Sequence, residues 1–300
     1  MLKILILGSE GFVGTNLVNN LSKKYDVKCA DMIKDSVNQN YNQFDVVDFD
    51  SVLKTVNDTD VVIDLVAHSL ISSIEGPTKN AIVNIIGLLN ILEACRINKI
   101  KKLIFTSASS MIGEPKNFSV NESHTAIPKT AYGITKLASE HYLRLYSELY
   151  GIEYCIFRFF NIYGPFQKNG LIPNLFNRII NNESLTVFGT GEQIRDYVFI
   201  EDIIPFFEKF CTSDVGKNSI FNMGTGKGTT IKEIIEIMGK KLDIQPKIDW
   251  QPIRPGEIGN FVADTSLLQK TFNTIPTTTV EKGLERTLSW LKNNYNKNNN

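Results

Sequence analysis

The chain has 300 residues, of which 42% are hydrophobic, and its 32 basic residues balance its 32 acidic residues. This length and composition can bury a large core in one large domain or two small ones. Because the charge is balanced, it gives no reason to expect nucleic acid or an anionic membrane as a partner. The four cysteines lack CxxC spacing, and the apolar start is too short for a signal or membrane helix, so we expect a cytoplasmic protein with reduced thiols.

The first predicted element is a strand over residues 2–7, an almost continuous apolar run typical of a buried parallel strand. It leads directly into a glycine-rich turn and a helical pattern. In such a turn the glycines permit a tight bend, the approach of a pyrophosphate and close helix packing, while the helix N-terminus offers amides to phosphate. The spacing Gly-x-x-Gly-x-x-Gly departs from the commoner Gly-x-Gly-x-x-Gly, but it stands at the required strand-to-helix junction. The predicted cofactor contacts of this turn are Gly8, Gly11, Phe12, Val13 and Gly14.

A second strand, over 27–30, ends on Asp31, about 20 residues after the glycine turn. A carboxylate there can accept hydrogen bonds from the adenosine ribose diol and would repel a 2′-phosphate, which favours NAD over NADP. The alternative is an aspartate that only caps the strand at the surface. A third strand is predicted over 44–47, followed by Asp48 and Phe49, which we expect to meet the edge and face of the adenine.

Strands predicted over 61–67, 102–107 and 154–158 alternate with helices over 80–97 and 131–150. Helical segments of this length between strands imply right-handed crossovers and a doubly wound parallel sheet of the α/β class. Ligands of such sheets bind beyond the carboxyl ends of the strands. The candidate cofactor and substrate residues at or just beyond these ends are Val66, Ala67, Ser69, Ser107, Ser109 and Asn161.

Tyr132 and Lys136 are four residues apart near the start of the helix over 131–150, so their side chains share one helix face. A tyrosine titrates near pH ~10, and a neighbouring cation favours its phenolate. The pair is therefore a candidate general acid/base for the proton of an alcohol. Taken alone, the same spacing also fits ordinary packing plus a solvated lysine.

Four features follow one another along the chain: the glycine turn, the strand-end Asp31, a serine-rich strand end and Tyr-x-x-x-Lys. In this order the chain resembles the extended short-chain dehydrogenase/reductase superfamily, in particular its NAD-dependent nucleotide-sugar epimerase/dehydratase family of UDP-glucose 4-epimerase-like proteins. The resemblance extends to about Asp264. It implies NAD as cofactor and a homodimer formed through helices 80–97 and 131–150.

The same resemblance implies an NAD-binding Rossmann domain over 1–165, to which a segment over about 192–218 returns. A smaller, discontinuous α/β substrate domain then comprises 166–191 and 219–292. The asparagine-rich residues 293–300 are expected to form a disordered tail.

Substrate contacts are also implied by the resemblance. Residues 158–165 resemble an Arg-x-x-Asn-x-Tyr-Gly-Pro turn in which Asn161 meets the sugar nucleotide, and Phe188 lies in a segment like that which packs against the nucleobase. Arg195 and Arg254 correspond to arginines that hold the substrate diphosphate, a role that suits the forked donors of a guanidinium. Each arginine taken separately also fits a surface ion pair.

The loop after the strand over 102–107 departs from the family pattern. It has no carboxylate before Glu114, whereas the dehydratases and decarboxylases of the family use acids there, so neither activity is expected. Counted without gaps, the usual catalytic Ser/Thr is Ala108 and the usual tyrosine is Ile112. Ser107 or Ser109 could replace the missing hydroxyl if the loop is shifted by one residue, or these serines could merely satisfy the strand end.

The resemblance therefore implies an NAD-dependent nucleotide-sugar 4-epimerase that acts through a transient 4-keto sugar, with a UDP-sugar favoured. Tyr132 would be the general acid/base, and Lys136 would hold the cofactor ribose and favour the phenolate. Two alternatives stay open: a 4-keto reductase of a nucleotide deoxysugar, and a non-catalytic NAD-binding relative suggested by Ala108. No metal site is expected.

Overall fold

The computed structural model of the protein describes residues 1–38, 40–252 and 259–298. Strands within the described residues are β1 Lys3–Leu7, β2 Asp26–Asp31, β3 Tyr41–Gln43, β4 Val61–Asp64, β5 Lys102–Ala108, β6 Ser119–Val120, β7 Glu153–Phe159, β8 Asn161–Tyr163, β9 Leu185–Phe188, β10 Ile194–Arg195, β11 Tyr197–Phe199, β12 Ser219–Met223, β13 Thr229–Thr230, β14 Ile248–Gln251 and β15 Val262–Ala263. The α-helices are α1 Phe12–Leu21, α2 Phe49–Val56, α3 Leu70–Glu75, α4 Pro77–Ala81, α5 Gly87–Ile97, α6 Ala131–Tyr150, α7 Leu171–Ile180, α8 Ile200–Thr212, α9 Ile231–Leu242, α10 Ser266–Phe272 and α11 Val280–Asn298.

Seven parallel strands form the central sheet, in the order β12-β7-β5-β4-β1-β2-β3. The chain starts in the middle at β1, builds outwards through β2 and β3, and then returns to β4 on the other side of β1. Side chains alternate between the two faces of β1, so that Ile4 and Ile6 enter one apolar core and Leu5 and Leu7 enter the other. The predicted doubly wound Rossmann fold is confirmed, and its strand order reverses between β1 and β4, where such sheets bind ligands.

The third strand lies earlier than the sequence predicts. The apolar pattern placed it over 44–47, whereas β3 spans Tyr41–Gln43 and pairs with β2. Local hydrogen bonds explain the difference, because the Asp45 side chain accepts from the Val47 amide at 3.1 Å and the Asp45 carbonyl accepts from the Asp48 amide at 3.1 Å. These bonds form a turn that competes with the sheet for the same backbone groups.

The helix predicted over 80–97 begins earlier, at Pro77, and contains a π-helical turn over Ile82–Ile86 between α4 and α5. Proline suits the first helical position because its missing N–H would have no partner there. By length and composition alone, the 21 residues Pro77–Ile97 could cross a membrane. Helices in the core of a protein pass the same test, and 44% of the apolar window is buried here.

The strand β12 pairs with β7, with Ser219 opposite Cys155 and Met223 opposite Phe159. The prediction placed residues from 219 onwards in the substrate domain. In the structure the segment that returns to the central sheet therefore extends beyond 218 to Met223. The short pairs β9–β14 and β10–β13 and the helices α7 and α9 lie outside this sheet.

The predicted disordered tail over 293–300 differs from the structure, in which α11 continues to Asn298. The Tyr295 hydroxyl donates to Asn181 Oδ1 at 2.9 Å, and the Tyr295 ring meets the Phe176 ring edge-on at 6.3 Å. An aromatic anchor within the asparagine-rich run thus attaches this part of the helix to α7. Residues 299–300 lie outside the described residues.

Candidate active site

The glycine-rich turn between β1 and α1 is shaped to take a phosphate group against its backbone. Gly8 has φ +82°, and its amide donates to the Ala30 carbonyl at 2.8 Å, which fixes the turn against β2. A Cβ on Gly14 would lie 2.2 Å from the Gly8 carbonyl oxygen, so the helix can approach the turn only without a side chain there. Gly11 caps α1 without a side-chain hydrogen bond, which leaves the helix N-terminus suited to the NAD pyrophosphate.

Asp31 ends β2 beside this turn. Its Oδ2 accepts from the Glu10 amide at 3.1 Å and its Oδ1 accepts from the Met32 amide at 2.7 Å, so the carboxylate is held in place. Asp48 caps α2, where its Oδ1 accepts from the Asp50 amide at 3.1 Å. The ribose contact of Asp31 and the adenine contact assigned to Asp48 and Phe49 stay predictions.

A cavity of about 590 Å³ opens at the carboxyl ends of β1, β4 and β5 and extends to residues after β7. The predicted site residues that line it are Gly8, Gly11, Phe12, Val13, Gly14, Ala67, Ser107, Ser109, Tyr132, Lys136, Asn161 and Arg195. Predicted site residues that do not line it are Asp31, Asp48, Phe49, Val66, Ser69 and Phe188. Arg254 lies outside the described residues.

Tyr132 and Lys136 share a helix face, as their spacing predicts. The helix α6 begins at Ala131, and the Thr130 side chain caps it by accepting from the Gly133 amide at 3.0 Å. Lys136 Nζ lies 5.7 Å from the centroid of the Tyr132 ring and donates to the Thr106 carbonyl at 2.7 Å. The ammonium is thereby fixed between the strand end and the phenol.

Burial dominates the electrostatics of this pair. It raises the pKa of Tyr132 to about 12. It lowers the pKa of Lys136 to about 8, although the negative charges of Asp64 and Glu140 oppose that fall. We expected the lysine to bring the tyrosine pKa towards neutrality, whereas in the protein alone burial of the phenol raises that pKa.

A buried polar network, which the sequence did not predict, positions α6 behind Tyr132. The Thr135 hydroxyl donates to Asn80 Oδ1 at 3.0 Å and accepts from Asn84 Nδ2 at 3.1 Å. The Asn80 amide also donates to the His68 carbonyl at 2.8 Å, just beyond β4. The network joins the π-helical turn, α6 and the end of β4, so the turn that supplies Asn84 sets the position of the catalytic helix.

A buried ion pair attaches the middle of α6 to β7. Arg158 Nε donates to Glu140 Oε1 at 2.9 Å and Arg158 Nη2 donates to Glu140 Oε2 at 2.7 Å, a bidentate arrangement. Two sequence signals could have indicated it. Glu140 is one turn beyond Lys136, and Arg158 interrupts an apolar strand.

Three serines surround Ala108 at the end of β5. Ser107 is buried and its hydroxyl donates weakly to Met111 Sδ at 3.7 Å. Ser109 begins a short 3₁₀ turn, and Ser110 also lines the cavity. The Ser110 hydroxyl is buried and has no hydrogen-bond partner among the described residues. Ser110 was not predicted, and the serine-rich loop was the only sequence signal for it.

On the substrate side, the polar groups converge on the segment after β7. Asn161 Nδ2 donates to the Asp196 carbonyl at 3.2 Å, and Arg195 Nη1 donates to the Ile194 carbonyl at 2.8 Å. The buried Asp196 carboxylate accepts from the amide of Thr225 at 2.9 Å and from that of Ala263 at 3.1 Å. Asp196, which the sequence did not single out, therefore fixes the strand that presents Arg195 to the cavity.

Ser69 and Phe188 lie elsewhere. The Ser69 hydroxyl accepts from the Ser72 amide at 3.2 Å as the cap of α3, and it is Leu70 that lines the cavity. Ser69 caps α3 beside the lining residue Leu70, and its predicted substrate contact stays a prediction. Phe188 ends β9 outside the lining, so its predicted contact with a nucleobase stays a prediction.

The parallel sheet, the glycine turn and the Tyr132–Lys136 pair define an extended short-chain dehydrogenase/reductase. Residues 4–224 match the family model described as the NAD dependent epimerase/dehydratase family. The chain belongs to this family, and NAD is its cofactor.

Similar proteins match almost the whole chain. A Methanocaldococcus jannaschii protein, provisionally named a UDP-glucose 4-epimerase, is 32% identical over 97% of this chain and 99% of its own. A Thermotoga maritima UDP-glucose 4-epimerase, solved with UDP-glucose, is 27% identical with a TM-score of 0.91, covering 98% of this chain and 100% of that one. A Methanobrevibacter ruminantium UDP-N-acetylglucosamine 4-epimerase, solved with UDP-N-acetylmuramic acid, is 30% identical with a TM-score of 0.89, covering 97% and 98%.

Proposed function

We propose that this protein is an NAD-dependent 4-epimerase of UDP-sugars. The observation that carries the proposal is that one cavity is lined by the Tyr132–Lys136 pair together with the glycine turn, Asn161 and Arg195. A proton-transfer group, a dinucleotide turn and a guanidinium for a diphosphate are the parts that such a reaction needs. The names of the similar epimerases support a UDP-sugar as the substrate class.

Tyr132 takes the proton of the sugar 4-hydroxyl as the 4-keto sugar forms, and returns it after the sugar presents its other face. When bound, NAD supplies a hydride acceptor and a positively charged nicotinamide ring. Lys136, with its charge fixed 5.7 Å from the ring centroid, favours the phenolate.

Ser107 supplies the hydrogen bond that Ala108 cannot donate. It is the last buried residue before Ala108 and it lines the cavity. A thioether is a weak acceptor, so the Ser107 hydroxyl can exchange its bond to Met111 for a stronger one to a sugar oxygen. Ser109 and Ser110 lie on the same loop and are tested alongside it.

Arg195 and Asn161 hold the diphosphate side of the substrate, and Phe188 packs against the base. Arg195 lines the cavity on the strand that Asp196 fixes, opposite the glycine turn. The role of Arg254 rests on its Arg-Pro-Gly-Glu sequence context alone.

We also propose that the protein is a homodimer through the helices over 77–97 and 131–150. Both expose apolar side chains one turn apart, with Ile82 44% and Ile86 48% exposed on one and Leu145 44% and Leu149 61% exposed on the other. Adjacent apolar faces of this kind are typical of interfaces between subunits. Sedimentation should give a dimer for the wild type and a monomer for Leu149→Glu. A monomeric wild type would contradict the proposal.

The experiment that tests the activity is a panel of UDP-, dTDP- and GDP-sugars, among them a 4-keto deoxysugar that NADH can reduce, with and without added NADH, followed by chromatographic separation of stereoisomers. We expect isomers from UDP-glucose or UDP-N-acetylglucosamine without net consumption of NADH. Product formation that consumes NADH would instead establish a 4-keto reductase. No product from any sugar would favour the non-catalytic relative that Ala108 suggested.

A further inference from the structure

Glu10 places a long charged side chain in the middle of the glycine-rich turn, between Gly8 and Gly11. Its amide donates to Asp31 Oδ2 at 3.1 Å. Its carboxylate turns away from α1, and Oε1 accepts from Ser36 Oγ at 2.7 Å and from Asn38 Nδ2 at 2.7 Å. One residue thus joins the phosphate-binding turn to the segment that follows β2.

That segment, residues 32–38, has no helix or strand of its own. Near its start, Tyr41 donates to the Asp31 carbonyl at 3.0 Å and Gln43 Nε2 donates to the Met32 carbonyl at 3.2 Å. Its other end projects into solvent, where Val37 is 97% exposed. Met32 and Ile33 at the start of the segment are also exposed, at 70% and 48%, so apolar burial does not hold the segment, and the two bonds to Glu10 attach its far end.

The position of this assembly is that of the adenosine half of the cofactor. Asp31 stands where a carboxylate meets the ribose diol, and the turn containing Glu10 meets the pyrophosphate. The negative charges of the Asp31 and Glu10 carboxylates both act on the same neighbouring group, the Tyr41 hydroxyl. Burial and then the negative charges of Asp31 and Glu10 raise the pKa of Tyr41 to about 12. A 2′-phosphate on the ribose would enter the field of both acids rather than that of Asp31 alone.

We propose that Glu10 is a positioning residue for NAD, holding residues 32–38 against the glycine turn and adding a second negative charge that disfavours NADP. The two effects separate by substitution. Glutamine keeps an oxygen that can accept both bonds but removes the charge, whereas alanine removes the bonds and the charge together.

Equilibrium binding of NAD and NADP to the cofactor-free protein tests this, together with limited proteolysis between residues 32 and 38. Glu10→Ala should weaken NAD binding about tenfold, since two hydrogen bonds to a charged group are lost, and should make the segment susceptible to protease even before NAD is added. Glu10→Gln should bind NAD as the wild type does and bind NADP several-fold more tightly.

Two further variants separate this role from general stability. Glu208→Ala is the matched control, because Glu208 also accepts two side-chain hydrogen bonds, from Lys24 and Tyr25, but away from the cavity. It should leave NAD affinity unchanged. Asn38→Ala should weaken NAD binding in the wild type and have no further effect in Glu10→Ala. Wild-type NAD affinity in Glu10→Ala, or fully additive effects of the two substitutions, would overturn the proposal.

Discussion

The two ends of the cofactor cleft differ in how far the protein alone completes them. At the adenosine end, the carboxylates of Asp31 and Glu10 each accept two hydrogen bonds from the protein. At the catalytic end, burial pushes Tyr132 and Lys136 towards their neutral forms, and among the described residues the buried Ser110 hydroxyl has no partner.

The difference shows which parts of the site are ready before the ligands bind. The carboxylates of the adenosine end are already held by hydrogen bonds, which reduces the ordering needed when NAD binds. The catalytic end contains groups whose reactive, charged forms are costly in a dry cavity until opposite or complementary groups arrive. Chemistry at Tyr132 should therefore depend on the bound ligands, whereas NAD recognition should not depend on Tyr132.

The largest effect should come from Tyr132→Phe, which removes the group that moves the proton and nothing else. We expect turnover to fall about 10³-fold, in the range typical of a lost general acid/base, with NAD binding and the thermal unfolding temperature unchanged. Turnover is measured as the rate at which the 4-epimer forms at saturating substrate. Full turnover in this variant would place proton transfer elsewhere and remove the distinction between the two ends.

The next effect concerns Lys136 and pH. With a pKa of about 8, its ammonium is present below that pH and is lost above it, so wild-type turnover should decline as pH rises through about 8. Lys136→Met should lower turnover about a hundredfold. It should also move the acid limb of the pH–rate profile to higher pH, because the phenolate loses a favourable charge. An unshifted acid limb would show that Lys136 does not act on Tyr132.

A smaller effect should appear at the serine loop. Ser107→Ala should lower turnover about tenfold without changing NAD affinity, and Ala108→Ser in that background should restore it, since one hydroxyl at the strand end suffices. Ser109→Ala and Ser110→Ala are the matched controls. If Ser110→Ala rather than Ser107→Ala lowers turnover, the unpartnered hydroxyl is the one that meets the sugar.

The sequence predicted those parts of the molecule that depend on local pattern. The run over 2–7, the glycine spacing and the four-residue step from Tyr132 to Lys136 each determine a local conformation that the structure contains. Long-range contacts were not predictable in this way. The Asn80–Thr135 bond spans 55 residues, and the contact between Glu10 and Asn38 spans 28.

Two errors have physical causes of the same kind. The strand placed over 44–47 was displaced because an Asp45 turn competes for its backbone, an effect that apolar alternation does not reveal. The direction of the Tyr132 pKa was wrong for the protein alone because spacing indicates a neighbouring charge but not the extent of burial.

The most direct test of the central claim is the fate of the hydrogen at C4 of the sugar. A UDP-sugar labelled with deuterium at C4 should yield its 4-epimer with the deuterium retained at C4, because the hydride that leaves C4 is returned to C4 within the cavity. Mass spectrometry and NMR of the separated epimers measure the label. Loss of deuterium to solvent during isomerisation would contradict a transient 4-ketone held within this cavity.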